Sequence, residues 1–306
     1  MEEIRNIDDL FSARAETLLI LGNGFDLDLG WQTRYSDFAQ SANFWPFNPT
    51  SSTKLAKFLY ECSFSKSWFD LENNLAIYGS SKASPLSIEF GGGMQVREDK
   101  EDYGRLVSSL FAYLKEQEKQ DVDKNSYSSR ILKAVCDNIT PGTIYSFNYT
   151  DLSTIATKLG ISSNCCPIYV HGSLERKNII LGVGDYEQLP SSFDFAYKTS
   201  NSNYISTHLL EDLLSYKNVV IFGLSLSKVD YPYFEDFFRQ LSEGKIKDLS
   251  YEPKLQEDPH TDISNENVPA SRQESRKPKV PTRGKDVSAG RKGSPSGKIH
   301  RNHQHL

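Results

Sequence analysis

Short apolar runs and longer amphipathic segments alternate along the chain. Residues 17–21, 143–147 and 218–222 are apolar runs typical of buried strands, and 167–170 and 178–181 are shorter runs of the same kind. Between them, apolar residues recur every three or four positions, which indicates helices. Strands separated by helices predict an α/β, Rossmann-like fold with a mostly parallel sheet and helices on both faces.

The predicted helices fall into two groups. A helical insertion at about residues 50–140 separates the first two strands, and shorter helices separate the later ones. The helical segments are 26–41 with a break near Gly30, 54–78, 101–137, 151–159 before Gly160, 204–216 and 230–241. Residues 79–97, with three consecutive glycines, are predicted to form a loop, and 247–251 a last edge strand.

The C-terminal part of the chain differs in composition from the rest. Residues 252–306 contain no aromatic residue and no apolar periodicity. Such a segment buries too little apolar surface to offset the entropy of ordering it. The sequence therefore predicts one α/β nucleotide-binding domain over residues 1–251 and a disordered basic tail over residues 252–306.

The charge is distributed as unevenly as the composition. Residues 271–306 carry ten Lys or Arg and two acids, a balance of +8, so the net charge of −5 leaves −13 (−5 minus 8) on residues 1–270. An acidic body repels the phosphate backbone, and nucleic-acid binding is therefore not expected except through the tail.

Export, membrane insertion and zinc binding are not expected. No apolar segment follows Met1, and no apolar run approaches the roughly 20 residues of a membrane span, so a cytoplasmic location is predicted. The four cysteines form no C-x-x-C pair and are predicted to be reduced thiols: Cys62, Cys136, Cys165 and Cys166. No metal site is predicted.

Glycine or polar residues follow the first five predicted strands. In chain order they are Gly22, Asn23, Gly24 and Asp26, then Asn148, then His171, then Gly184 and Asp185, then Gly223 and Ser225. Each alone fits a structural role, such as a helix cap or a buried imidazole. Because the carboxyl ends of parallel strands meet at one edge of a sheet, together they predict a shared ligand crevice.

The end of the first strand has the form of a nucleotide-binding loop. Glycine permits positive φ and leaves no side chain in the way of a ligand. The N–H groups at the start of the following helix then point towards an anion. We therefore expect Gly22, Asn23 and Gly24 to cradle a pyrophosphate.

Several motifs carry a resemblance to a known family. They are residues 20–27 (ILGNGFDL), Gly30 with 33–38, 68–72 (WFDLE), 146–150 (SFNYT), His171-Gly172, and 222–226 (FGLSL) with Asp230. These motifs resemble those of the AbiH family of bacteriophage abortive infection proteins over about residues 16–245. The resemblance implies a role in phage defence, with a phage trigger or a second copy of the chain among the expected partners.

A more distant resemblance bears on the chemistry. The order of a glycine loop, an Asn segment and a His-Gly segment is similar to that of SIR2-like (SIR2/DHS-like) NAD-binding domains. It implies NAD as ligand or substrate, with Asn148 and His171 catalytic. The residues implied to bind NAD are Gly22, Asn23, Gly24, Asp26, Asp37, Gly223 and Ser225. The zinc module of sirtuins is missing, so the resemblance concerns the NAD-binding and NAD-cleaving core, not protein deacylation.

These expectations leave three functional hypotheses open. The chain is a candidate NAD glycohydrolase, in which Asn148 orients water or ribose hydroxyls and His171 is the general base. It is alternatively a nucleotide-sensing switch without turnover. A nuclease-type effector is the third hypothesis, because acids are present at Asp26, Asp28, Asp37, Asp70 and Glu72. Glu72 is either a helix-surface residue or an acid near the crevice.

Overall fold

A parallel four-stranded sheet forms the centre of the computed structural model. The structure describes residues 17–44, 53–65, 69–82, 92–136, 143–162, 166–226 and 228–244. The strands are β1 (Thr17–Leu21), β2 (Thr143–Ser146), β3 (Ile168–Tyr169) and β4 (Asn218–Phe222). Their order is β3-β2-β1-β4, and every pairing is parallel. The predicted α/β, Rossmann-like fold class is therefore confirmed.

Most of the described α-helices lie between β1 and β2. The α-helices of the described segments are α1 (Gly24–Asp28), α2 (Tyr35–Ala39), α3 (Lys54–Ser65), α4 (Leu71–Ser81), α5 (Gly92–Gln117), α6 (Tyr127–Cys136), α7 (Leu152–Leu159), α8 (Leu209–Ser215) and α9 (Glu235–Ser242). Short 3-10 helices cover Ser191–Ala196, Lys198–Ser200 and Tyr231–Tyr233. The predicted helical insertion therefore contains α3 to α6.

Helices cover both faces of the sheet. Because successive side chains of a strand point to opposite faces, Leu19 and Leu21 join a core with α6 and α7. Leu18 and Ile20 join a second core, which contains residues of α8 and α9. A third core lies among α3, α4 and α5 and includes residues that follow β3.

Several predicted elements differ from the structure; the predicted helix at 204–216, for example, covers only Leu209–Ser215. The predicted strand at 178–181 is wrong, because this run forms neither helix nor strand. Ile179 and Leu181 are buried in the core of α3 to α5 instead, and Ile180 N–H donates to the His171 carbonyl. The predicted loop at 79–97 is shorter than expected, since α4 continues to Ser81 and α5 begins at Gly92. The predicted edge strand at 247–251 lies outside the described residues.

Two observations concern the chain as a whole. It divides into two compact units, Met1–Glu252 and Pro253–Leu306, and all residues described here belong to the first. The predicted disordered tail lies outside the described segments. No helix in those segments is long and apolar enough to cross a membrane.

The cysteines differ from expectation at one position. Cys136, the last residue of α6, is disulfide-bonded, so the prediction of four reduced thiols is wrong. Cys166 is a free, exposed thiol. Spacing along the chain does not report which cysteines lie close enough in space to be bridged.

Candidate functional site

The sheet order defines where a ligand crevice is expected. The chain passes from β1 to β2 on one side, and β4 pairs with β1 on the other. The connections therefore reverse direction between β1 and β4, and in open α/β sheets ligands bind beyond the carboxyl ends of the strands at such a point.

The glycines at this junction bring the two strand ends into contact. Gly22 N–H donates to the Phe222 carbonyl at 2.9 Å, and Gly24 N–H donates to the Gly223 carbonyl at 2.7 Å. A Cβ atom on Gly22 would lie 2.5 Å from Leu224 Cα, and one on Gly223 would lie 2.4 Å from Phe25 N. These glycines thus permit close backbone packing. The N–H groups of Gly22 and Gly24 are engaged within the protein, and the predicted pyrophosphate cradle stays a prediction.

A buried carboxyl group joins the β1 and β2 ends. Asn148 Nδ2 donates to Asp26 Oδ1 at 2.9 Å and to the Gly22 carbonyl at 3.0 Å. Thr150 Oγ1 donates to both Asp26 oxygens, at 3.0 and 2.9 Å. Burial raises the pKa of Asp26 to about 7, although the hydrogen bonds from Thr150 and Asn148 lower it. Three predicted site residues, Gly22, Asp26 and Asn148, are therefore in direct contact.

A second buried cluster surrounds His171. Lys198 Nζ lies 3.3 Å from His171 Nε2 and 3.2 Å from Glu72 Oε1, and Asp230 Oδ1 lies 3.7 Å from the same imidazole nitrogen. His171, Lys198 and Glu72 are each less than a tenth exposed. Four titratable groups thus meet in a site that excludes most water. Glu72 is an acid of this site rather than a helix-surface residue.

The two nitrogens of His171 have different surroundings. Nε2 is approached by Lys198 Nζ at 3.3 Å and by Asp230 Oδ1 at 3.7 Å, so whether it accepts or donates depends on the tautomer of the imidazole. Nδ1 is buried and has no hydrogen-bond partner in the described residues. Burial, followed by the charge of Lys198, lowers the pKa of His171 to about 4, although Asp230 raises it. The imidazole is therefore neutral at physiological pH and able to accept a proton.

Glu72 has the opposite shift. Burial raises its pKa to about 7, although Lys198 lowers it, and Asp230 and Asp70 raise it further. Its carboxyl group is therefore able to exchange a proton near neutral pH, beside a histidine that is already neutral. Such neighbouring groups with divergent pKa values are typical of acid–base sites.

The segment after β2 contacts both clusters. Asn148 and Thr150 hydrogen-bond Asp26, whereas the Phe147 ring packs edge-on against His171, with centroids 5.5 Å apart. Tyr149 accepts a hydrogen bond from Tyr35 and donates to the Ile180 carbonyl. Residues 147–150 thus lie between the clusters, with alternate side chains facing each one.

A cavity opens next to the His171 cluster. Its volume is about 650 Å³, and Lys198 lies in its wall. The other lining residues are Gly184, Asp185, Tyr186, Thr199, Tyr204, Leu226, Lys228, Val229, Tyr231, Pro232, Tyr233 and Glu235. We call it the tyrosine cavity. Tyr233 also touches His171, with ring centroids 5.8 Å apart, so the cavity wall and the cluster are continuous.

The remaining predicted residues lie elsewhere on these loops. Asn23 is exposed and accepts a hydrogen bond from the Thr33 hydroxyl at 2.6 Å. Asp37 caps its own helix, accepting the Arg34 N–H at 3.1 Å. Ser225 is exposed just beyond β4. The structure therefore separates the predicted residues into the Asp26 cluster, the His171 cluster and exposed loop positions.

Lys198 is the residue that the sequence did not indicate. It belongs to a short 3-10 helix, far along the chain from both partners, and no local motif surrounds it. Asp230 was visible only as part of the family resemblance. The one local signal is a lysine that follows an aromatic run, Phe193, Phe195 and Tyr197, which predicts burial. In the described segments, no group of three or more His, Cys, Asp or Glu side chains could hold a metal ion.

Comparison with known protein families identifies a family for this chain. The family model described as bacteriophage abortive infection AbiH matches residues 18–250, which are most of the 306-residue chain. No curated protein and no solved structure matches.

Proposed function

Because the chain belongs to the AbiH family of bacteriophage abortive infection proteins, we propose that it acts on a nucleotide during infection. The proposed nucleotide is NAD, and the proposed reaction is hydrolysis of the bond between nicotinamide and ribose. We propose that this reaction takes place in the cytoplasm, where NAD is available.

One observation carries this proposal: Lys198 belongs both to the tyrosine cavity and to the buried His171 cluster. A ligand in the cavity would reach the side chain that hydrogen-bonds the imidazole. The volume of about 650 Å³ lies within the roughly 300–1,000 Å³ range of small-molecule sites. The tyrosine rings supply faces for a planar base.

The proposed reaction has a simple balance. Water attacks C1′ of the ribose, the C–N bond breaks, and its electron pair goes to the pyridinium nitrogen. The products are ADP-ribose, neutral nicotinamide and one proton. His171 accepts the proton from water or from a ribose hydroxyl, once the bound ligand has displaced Lys198 from Nε2.

The proposal gives the other residues supporting roles. Glu72 holds Lys198 in place, and the Glu72 carboxyl group itself gains or loses a proton near neutral pH. Asn148 acts as a positioning residue, because both bonds from its Nδ2 go to Gly22 and Asp26 rather than into the tyrosine cavity. Asn23 and Ser225 are exposed at the β1–β4 junction and are proposed to contact the diphosphate and adenosine part.

The test is nicotinamide release from NAD by the purified full-length chain. We expect release by the unaltered protein and a loss of 100-fold or more in His171→Ala, the usual scale for removing a general base. The matched control is His208→Ala, which removes an exposed histidine outside the tyrosine cavity and should retain activity.

A second experiment includes a phage trigger. Cells that express each variant are infected with phage, and their NAD pool is measured. NAD binding without nicotinamide release by the purified protein, and without NAD loss in infected cells, would favour the nucleotide-sensing switch over hydrolysis. Equal loss of NAD in cells with the unaltered protein and with His171→Ala would overturn the assigned mechanism.

A further inference from the structure

The walls of the tyrosine cavity are aromatic. Tyr186, Tyr204, Tyr231 and Tyr233 line it. The face of an aromatic ring carries negative charge and attracts cations within about 6 Å of its centroid. One ring is already used in this way, because Lys228 Nζ lies 5.1 Å from the Tyr186 centroid.

Both lysines of the cavity wall are paired with acids. Lys198 Nζ lies 3.2 Å from Glu72 Oε1, and Lys228 Nζ lies 2.6 Å from Glu187 Oε1. Above about pH 7, where Glu72 is ionised, each positive charge is balanced by a carboxylate, and neither lysine gives the cavity a surplus of positive charge.

Three further carboxyl groups have no such balance. Asp185 and Glu235 line the cavity, and Asp230 lies between the lining residues Val229 and Tyr231. Within the described segments, none of the three has a Lys or Arg within 4.0 Å. Asp185 accepts a hydrogen bond from the neutral hydroxyl of Thr199, and Asp230 faces the imidazole of His171.

Of these three carboxyl groups, Asp230 acts on the pKa values of two lining tyrosines, Tyr186 and Tyr233. The pKa of Tyr186 is raised to about 12, by burial first and then by the carboxylates of Glu187, Glu72 and Asp230 in that order. For Tyr233, burial raises the pKa first, and Asp230 and Glu72 are among the groups that add to the shift. A cavity with aromatic faces and surplus carboxylates favours a cation over a neutral or anionic group.

We propose that the tyrosine cavity binds a cationic ring, an N-substituted pyridinium, in preference to its neutral counterpart. This inference rests on the proposed function and deepens it, since the oxidised nicotinamide of NAD is such a cation. The diphosphate then lies outside the cavity. Breaking the C–N bond neutralises the ring, so the same cavity that selects the substrate releases the nicotinamide product.

The test uses two probes with the same ring and different charge. 1-Methylnicotinamide is a cation, whereas nicotinamide is neutral, and neither needs to be hydrolysed. Their dissociation constants for the full-length chain are measured by calorimetry or ligand-observed NMR. We expect the cation to bind roughly threefold to thirtyfold more tightly, the range of a cation–π contact at a partly exposed site.

Two pairs of variants assign the selectivity to the cavity. Glu235→Gln should weaken the cation about threefold or more and leave nicotinamide unchanged, whereas Glu175→Gln, an exposed acid outside the cavity, should change neither. Tyr186→Leu should reduce the preference for the cation, and Tyr186→Phe, which keeps the ring face, should retain it.

The outcomes separate this inference from the proposed function. Equal binding of both probes, no binding of either, or selectivity unchanged by Glu235→Gln and Tyr186→Leu would overturn the cation cavity. NAD hydrolysis in the presence of such a result would leave the proposed function intact. Selective binding of the cation without nicotinamide release from NAD would support the proposed cation preference of the cavity and overturn the proposed hydrolase activity.

Discussion

Asp26 couples proton binding to the stability of the β1–β2 junction. Burial raises its pKa from 3.8 to about 7, so the folded chain binds the proton more tightly than the unfolded chain. This contribution is complete below about pH 4 and is lost as the pH rises to 7. Linkage at about 1.4 kcal/mol per pH unit predicts that it falls by roughly 3 kcal/mol between pH 5 and 8.

Urea denaturation of the unaltered protein and Asp26→Asn at pH 5, 6, 7 and 8 measures this contribution. The amide oxygen that this substitution introduces can still accept from Thr150 and Asn148, but the amide does not titrate. Taking the difference between the two proteins removes the contribution of Glu72, whose pKa is also raised. A difference that stays constant across this pH range would show that Asp26 is ionised throughout.

His171 is expected to be a neutral base whose pKa responds to its two neighbours in opposite directions. Lys198 lowers the pKa of His171 and Asp230 raises it. Lys198→Met should therefore raise this pKa from about 4, and Asp230→Asn should lower it further. Both are measured by NMR titration of the imidazole Cε1–H signal, assigned by its loss in His171→Gln. The same direction of shift in both variants would contradict the described cluster.

At the scale of elements, the β1–β4 junction depends on glycine for two separable reasons. Gly223 has a φ of 70°, and a Cβ there would lie 2.4 Å from Phe25 N. Gly160, which ends α7, has a φ of 71° but open space around the added atom. Gly160→Ala therefore measures the backbone strain alone, about 1 kcal/mol. Gly223→Ala adds the collision and should cost roughly 3 kcal/mol or more.

Both variants are compared by urea denaturation, with Gly104→Ala as a second control. Gly104 lies within α5 with open space around it, so alanine should stabilise the protein by roughly 0.5–1 kcal/mol. Similar losses for Gly223→Ala and Gly160→Ala would mean that the strand ends are less closely packed than the structure describes.

The hydrophobic pattern of the sequence predicts the strands of the sheet correctly. Thr17–Leu21 and Asn218–Phe222 agree with β1 and β4, and Gly160 ends α7 as expected. The strand predicted at 178–181 is wrong because apolar residues are also buried under helices. Its last residue, Leu181, accepts a hydrogen bond from Tyr103 of α5 at 2.5 Å. An apolar run predicts burial, but not the element against which it is buried.

The candidate site shows the same limit. Asn148 and His171 were predicted because each follows a strand. Lys198, the partner of His171, is not predicted, because its contacts join residues distant in the chain: Glu72 is 126 positions away and His171 is 27. No periodicity carries such pairings, which depend on the packing of the helical insertion against the segment after β3.

At the scale of the whole molecule, the charge separates into an acidic body and a basic C-terminal segment. The balance is −13 over residues 1–270 and +8 over residues 271–306. Nucleic-acid affinity that depends on phosphate contacts should therefore reside in the C-terminal segment. We expect a chain of residues 1–252 to show no binding to duplex DNA by fluorescence anisotropy. Any binding by the full-length chain should weaken steeply between 50 and 200 mM salt.

A charge-neutralising variant makes this expectation quantitative. Arg291→Gln with Lys292→Gln removes two positive charges of the C-terminal segment, which should make the slope of log affinity against log salt shallower by roughly 2 if both contact phosphates. Lys119→Gln with Lys158→Gln removes two from the body and should leave the slope unchanged. Binding by residues 1–252 with the slope of the full chain would place a phosphate-binding surface on the acidic body. Such binding would favour the nuclease-type hypothesis, which the negative charge of the body otherwise disfavours.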